Sequence, residues 1–407
     1  MNAKQQEALI QIQSGSNVFL TGSAGTGKSF VIHKVIEWAK SLKMEIGITA
    51  STGQAAYLLN GRTVHSFLGI GLANKPVDIL VDDLKNKKLD KFESLQRLRL
   101  LIIDEISMIN AELLDLISEY LSKIRECDLP FGGCQVVLCG DFCQLPPVEG
   151  KYCFVSASWK AANIQTIVLE ELVRQDGDPV FQLVLDEVRW GNCSDETLAT
   201  LQKQKDKEFE NGIVPTKLFS INADVDRINQ REYEKLVESG AEKRLYKTAY
   251  SKGKMAKPWA DSVKIPESIE LCIGAQIVVT WNISFDDCIV NGTRGVVNAL
   301  NEKSVGILLR NGKEVVIDYV KTVCEFDESI KVRYMPLKLA YALSIHKSQG
   351  MTLDAVEMDL GSTIFEYGQA YTALSRARSL DSMKIIHVAA KSFKTHKIVK
   401  KLYGVAS

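Results

Sequence analysis

Apolar positions in the first half of the chain fall into short blocks separated by stretches of helical spacing. "NVFL" runs into a glycine-rich turn, after which Ile32, Val35, Ile36 and Ala39 recur as one helix face would present them. "IGIT" (Ile46 to Thr49), "LLIID" (Leu100 to Asp104) and "VVLCGD" (Val136 to Asp141) are three further blocks, each ending in small or polar residues. Strands alternating with helices predict a parallel α/β sheet, whose ligands lie at the carboxyl ends of its strands.

Gly69 to Gln96 breaks the rhythm. It is charged and irregular, and predicts a surface insertion at about 64–96. A second alternating region starts at "TKLFSINADVDRIN" (Thr216 to Asn229) and resumes with "AVEMDL" (Ala355 to Leu360) and "MKIIHVAA" (Met383 to Ala390). Between them, "IGAQIVVTWN", "VNGTRGVVNAL" and "GKEVVIDYVKTVCEF" are β-branched runs with Asn-Gly turn chemistry, predicting a small antiparallel barrel at about 285–335. The expected organisation is α/β, with two parallel-sheet domains at residues 1–170 and 171–407, each carrying one insertion. No internal repeat or low-complexity segment is evident.

Composition narrows this little. The chain has 407 residues, 46% hydrophobic and 25% charged, enough to bury real cores. Fifty basic and fifty acidic residues cancel, so a nucleic-acid site has to be a local stripe. No apolar run reaches a membrane span, and the first motif begins by residue 5, which leaves no room for a signal or transit peptide. Nine cysteines without a C-x-x-C pair predict reduced, mostly buried thiols, with a metal cluster as the minor reading.

The strongest chemistry lies in "VFLTGSAGTGKSFVI". Strand, glycine loop (Gly22, Gly25, Thr26, Gly27), Lys28, Ser29 and helix follow in the order a phosphate loop needs. Backbone N–H groups from Gly25 to Lys28 would cradle phosphates at the helix start, Lys28 would reach the outer ones, and Ser29 would ligate Mg²⁺. Asp104, at the tip of "LLIIDE", supplies the second metal ligand, and Glu105 a carboxylate able to position and deprotonate a water. In "GDFCQLPPV", Gln144 offers an amide to the γ-phosphate, and two prolines stiffen the exit loop.

Together with "TASTGQAA", "TVHSFLGIG", "PFGG", "LVRQ", "VNGTRG", "LSIHKSQGMTLD" and "YTALSRAR", these strings resemble the ordered motifs of superfamily I helicases. They most resemble the PIF-type (petite integration frequency) branch of 5′-to-3′ DNA helicases, from Gln5 to about Val388, and Ser107 to Gly133 resembles the segment that marks that branch. The resemblance implies two RecA-like domains of the P-loop NTPase class and an SH3-like β-barrel insertion in the second. It implies that Gln5 reads adenine, that Arg174 and Arg376 reach the γ-phosphate, and that Gly350 belongs to the nucleotide site. Ser51, Thr52, His65, Ser66, Pro146, His346, Lys347, Ser348 and Thr352 match DNA-contacting positions. Their hydroxyl and backbone bonds to phosphate would grip without regard to base sequence.

"EKRLYKTAYSKGKMAK" interleaves tyrosines with basic residues in the manner of a nucleic-acid contact, and "KSFKTHKIVKK" holds five lysines; a solvated linker and a solvated helix face are the favoured readings of the two. The expected protein uses ATP and Mg²⁺, acts on single-stranded and tailed duplex DNA as a monomer, and has no membrane partner. Its compartment would be the cytoplasm in a bacterial or viral setting, and the nucleus or mitochondrion in a eukaryote. The alternative is a DNA-stimulated ATPase that works as a nucleotide-gated switch or motor subunit without unwinding.

Overall fold

Five buried residues, Val18–Gly22, form strand β1, on which the first sheet is built. The others are β2 (Ile46–Ala50), β3 (Arg62–Thr63), β4 (Leu100–Asp104), β5 (Gln135–Cys139) and β6 (Gln165–Leu169). They run in the order β3-β2-β4-β5-β1-β6, and every pairing is parallel. Central strands covered on both faces read as unbroken apolar runs, which is why these blocks were visible in the sequence. Ala8 and Ile12 of the helix Ala3–Gln13, and Val31, Ile32, Val35, Ile36 and Ala39 of the helix Lys28–Ser41, pack with Val18, Leu20, Leu100, Ile102 and Val137 in one core. Because β5 lies between β1 and β4, the glycine loop, the turn after Cys139 and the Asp104–Glu105 pair leave the sheet side by side.

This computed structural model describes the chain apart from residues 172–177, 210–214, 221, 254, 263–264, 282, 285–288, 290–292, 310–311, 324–328, 352, 354 and 406–407, and apart from the side chains of 54, 57, 222–224 and 262. Arg174, Thr352 and the Asn-Gly pair at 291–292 therefore lie outside the described residues.

The stretch expected to be an irregular insertion is helical. Val64–Leu68, Val77–Lys87 and Leu89–Arg97 are helices, the last two burying Val77, Leu80, Leu84, Phe92 and Leu95. The sequence reads as irregular because two short amphipathic helices with charged outer faces meet at Lys88. Arg125, ending the helix Ala111–Arg125, ties this region down: its Nε donates to Gly132 O (2.7 Å) and its Nη1 to Gln96 O (2.7 Å) and Leu98 O (2.5 Å). Lys123 pairs with Asp78. In the same segment the Pro130–Gly133 turn is pinned by Phe131 N donating to Ser118 Oγ (2.9 Å).

Two compact units divide the chain, residues 1–215 with 348–407, and 216–347. Compactness alone does not follow the boundary expected at 170, since the last sixty residues group with the first part. In the first unit β19 (Val356–Leu360) pairs in parallel with β20 (Met383–Val388). The second unit holds β7 (Thr216–Phe219) and β18 (Ala342–Ser344), also parallel. Its remaining strands are antiparallel: β8 (Lys243–Lys247) with β10 (Ser268–Cys272); β9 (Ala249–Tyr250), β15 (Val320–Val323) and β16 (Lys331–Tyr334); and β11 (Gln276–Val279), β12 (Arg294–Leu300), β13 (Ser304–Leu309), β14 (Glu314–Asp318) and β17 (Leu337–Leu339). Antiparallel structure thus starts well before 285. Ile277, Val279, Val297, Val305, Ile307 and Ile317 fill its core.

Among the described residues all seven cysteines are free thiols, no acidic, histidine and cysteine cluster suits a metal ion, and no helix is long and apolar enough to cross a membrane.

Candidate nucleotide site

Gly22 ends β1 at φ +154°, and a Cβ there would stand 2.4 Å from Leu169 O and 2.8 Å from Thr26 Oγ1. Only glycine lets β1 turn into the loop so close to β6. Thr26 Oγ1 donates to Ser23 O (2.9 Å), and the Lys28 ammonium folds back onto Gly22 O (2.8 Å) and Ser23 O (2.9 Å). Gly27 (φ +82°) opens the helix Lys28–Ser41, whose first N–H groups carry no side-chain cap. Ser29 is exposed beside them.

Gln5 is 1% exposed, not the solvated helix-start residue its position suggests. Its Oε1 accepts from Asn2 N (3.1 Å), and its Nε2 donates to Thr26 O (3.2 Å). The first helix is thus tied directly to the loop.

At the tip of β4, Glu105 N donates to Asp104 Oδ1 (2.9 Å), and Ser51 binds this corner through its N–H to Asp104 O (3.0 Å) and its hydroxyl to Glu105 O (2.9 Å). Glu105 adopts a left-handed backbone (φ +51°, ψ +45°), a strained state for a non-glycine residue that costs on the order of 1–3 kcal/mol. Gly350 lies against it: a Cβ on Gly350 would be 3.5 Å from Glu105 Oε1.

Burial, and then the Asp104 charge, push the Glu105 carboxyl up to about 7, against the pull of Arg376 and Lys28. Burial also raises Asp104, only partly offset by bonds from Cys139 and the Glu105 N–H and by the charge of Lys28. A raised carboxyl contributes stability that is complete below about pH 4.5 and is lost as pH rises through about 7. Glu105→Gln has no proton to lose. Its stability relative to the parent is therefore expected to grow by about 2–3 kcal/mol between pH 4.5 and pH 8. Urea unfolding of both proteins at the two pH values measures this, and a pH-independent difference would contradict it.

Beyond β5, Asp141 is fully buried. It takes two bonds from Arg189 (Nε to Oδ2 and Nη2 to Oδ1, both 3.0 Å), one from Tyr371 OH (3.0 Å) and one from Cys143 N (3.1 Å). Burial works to raise its pKa, but the charge and hydrogen bonds of Arg189 hold it below the ordinary carboxylate value. Gln144, 6% exposed, leaves Oε1 without a partner. Leu145 N donates to Thr372 Oγ1 (3.0 Å), and a Cβ on Gly368 (φ +69°) would fall 2.4 Å from both Cys143 O and Gln144 O.

Arg376 is 5% exposed, with Nε on Thr372 O (3.0 Å), Nη1 on Met351 O (3.1 Å) and Nη2 on Ser375 Oγ (2.7 Å). Its field reaches Glu105. Although ~350 residues separate it from the loop, the two share one compact unit.

The positions matched to DNA contact are more scattered. Thr52 Oγ1 accepts from Ala55 N (3.2 Å) at the start of the helix Gly53–Leu58. His65 is partly buried and Ser66 exposed, with Lys91 Nζ on Ser66 O (2.6 Å). Pro146 is partly exposed, and Ser348 is fully buried. His346 and Lys347 close the second unit.

Sequence reading missed Arg189, Tyr371 and Tyr403. Tyr403 OH bonds with Thr21 Oγ1 (2.7 Å), and its ring lies 5.2 Å from the Arg189 guanidinium. One signal was available: in the helix Pro179–Arg189, the apolar face formed by Phe181, Leu185 and Val188 carries on into an arginine.

Comparison with known proteins fits this arrangement. The family model described as PIF1-like helicase matches residues 1–197. The Xenopus laevis ATP-dependent DNA helicase PIF1 is 34% identical over 424 residues, covering 99% of this chain; the chain spans only 64% of that relative's length. Among solved structures, the Candida albicans Pif1 helicase superposes with a TM-score of 0.88 at 33% identity, covering 99% of each chain. A Bacteroides Pif1 helicase in complex with ADP-AlF3 and ssDNA gives 0.80 at 29% identity, covering 99% of this chain and 96% of that one. With the parallel sheet and the loop ending β1, these likenesses establish a RecA-like helicase fold, and the chain belongs to the PIF1-like helicase family.

Proposed function

We propose that this chain is an ATP-dependent DNA helicase that moves 5′-to-3′ on single-stranded DNA and separates the duplex ahead. One observation carries the reading: a glycine loop with its lysine, a carboxylate pair, an unpartnered glutamine acceptor and a buried arginine all belong to one unit, with Lys28 and Arg376 both acting on Glu105. A site that only bound nucleotide would have no use for a strained, buried glutamate that feels the charge of two cations.

In this proposal Gly22, Gly25, Thr26, Gly27 and Lys28 hold the phosphates, and Gln5 and Gly350 border the nucleotide. Glu105 orients and deprotonates the attacking water, while Gln144, Arg174 and Arg376 face the γ-phosphate. Ser29 and Asp104 hold Mg²⁺. Both offer hard oxygen ligands, and the burial that raises Asp104 is a cost that a divalent cation would offset. Bound there, the ion would neutralise phosphate charge. Ser51, Thr52, His65, Ser66, Pro146, His346, Lys347, Ser348 and Thr352 are proposed to line the DNA path.

The proposal includes two RecA-like domains, about 1–170 and 171–407, with an SH3-like barrel inserted in the second; the antiparallel strands β11 to β14 support that insertion. The active species is a monomer, working wherever its DNA lies.

Strand displacement with ATP on duplexes bearing a 5′ or a 3′ single-stranded tail tests the reading. Displacement from the 5′ tail alone is expected. ATP turnover stimulated by single-stranded DNA, with no displacement from either tail, would instead make the protein a nucleotide-gated switch.

A further inference from the structure

We propose that Tyr403 and Arg189 are positioning residues for hydrolysis, forming a clamp around the buried Asp141 that sets where Gln144 stands relative to the glycine loop. The inference rests on the function proposed above and extends its machinery to the chain's last helix, Lys397–Leu402, and the tyrosine that follows it.

The geometry is closed on every side. Arg189 holds both Asp141 oxygens in a fork and lies 4.7 Å from the Trp190 ring and 5.2 Å from that of Tyr403. Tyr403 OH meets Thr21 Oγ1 (2.7 Å), one residue before Gly22, and accepts from Phe142 N (3.3 Å), one residue after Asp141. A single hydroxyl therefore joins the end of β1 to the turn after β5. Asp141 in turn shapes that turn, through Oδ1 to Cys143 N (3.1 Å) and its carbonyl to Gln144 N (3.1 Å). Tyr371 brings in the helix Gln369–Leu374, which leads directly to Arg376.

A buried ion pair with neutral bonds to every remaining lone pair is a poor source of net stability, because desolvation cancels much of the attraction. What such a network supplies is one defined geometry. Here that geometry relates the two backbone segments that flank the phosphate position. None of the clamp residues touches the nucleotide in this scheme; they act through the turn that carries Gln144.

Tyr403→Phe is the cleanest probe, since it keeps the ring against Arg189 and removes only the hydroxyl. Turnover with single-stranded DNA present is expected to fall about tenfold, the scale of one hydrogen bond to a charged network. The Kd for a fluorescent ATP analogue should stay at its parental value, and the melting temperature should fall by no more than a few degrees, the cost of leaving Phe142 N and Thr21 Oγ1 without that partner. Arg189→Lys, which keeps the charge but loses the fork, should lower kcat in the same way. On a Gln144→Ala background, Tyr403→Phe should cost less than about twofold, because the group it positions is already gone.

Parental turnover in Tyr403→Phe, or a full loss repeated on the Gln144→Ala background, would overturn the clamp. The unsubstituted protein is the control for the underlying reading. If it shows no DNA-stimulated turnover, the proposed function fails; if it does and Tyr403→Phe matches it, only the clamp fails.

Discussion

Arg376→Ala is expected to bind ATP nearly as the parent does and to hydrolyse it ~10³- to 10⁵-fold more slowly with DNA present, the range for arginines that stabilise phosphoryl transfer. Arg376 is 5% exposed and its guanidinium is already held by three carbonyl oxygens and a hydroxyl, so it need not be ordered at the moment of reaction. It also counters part of the burial cost on Glu105, so its removal should leave that carboxyl protonated to a higher pH. Arg376→Lys should be almost as poor, since a point charge cannot bond Thr372 O, Met351 O and Ser375 Oγ together. Strand displacement should vanish with turnover. An alanine variant that keeps most of its DNA-stimulated hydrolysis would remove Arg376 from the site and leave Arg174 as the candidate.

Glu105→Gln should lose ~10² to 10⁴ in turnover while keeping nucleotide and DNA affinity, because the amide preserves shape and hydrogen bonding but takes no proton. The strained backbone favours this outcome. A residue at φ +51° is held there by the bonds of Ser51 to both neighbouring carbonyls, so substitution at the side-chain tip leaves the corner intact. Lys28→Ala differs in kind and should weaken nucleotide binding itself. Measuring Kd and kcat for both variants separates the two roles, and unchanged turnover in Glu105→Gln would remove it from the mechanism.

The parts of this centre that could be read from sequence are those coded by neighbours in the chain. Val18–Gly22 and Leu100–Asp104 were legible because buried parallel strands are apolar throughout, and the loop because its glycines, lysine and serine are contiguous. The helices Val77–Lys87 and Leu89–Arg97 were not, since each buries only two or three residues beneath a charged face. Glu105 could be recognised as a carboxylate, but not its left-handed backbone, which is braced by Ser51, over fifty residues away. The pairing of Asp141 with Arg189 spans 48 residues and that with Tyr403 spans 262, distances at which no local pattern exists. Gln5 was legible as a residue of interest, though its grip on Thr26 and Asn2 was not.

The short helix Gln369–Leu374 carries a mechanical consequence. Tyr371 reaches Asp141, Thr372 takes the N–H of Leu145, and the Thr372 carbonyl steadies Arg376 just beyond the helix end. Contacts mounted on so short a rod behave like lobes on one cam: a rotation that withdraws one withdraws the others. Hydrolysis would then be gated as a whole, and a protein caught with this helix out of register would idle with its fuel intact.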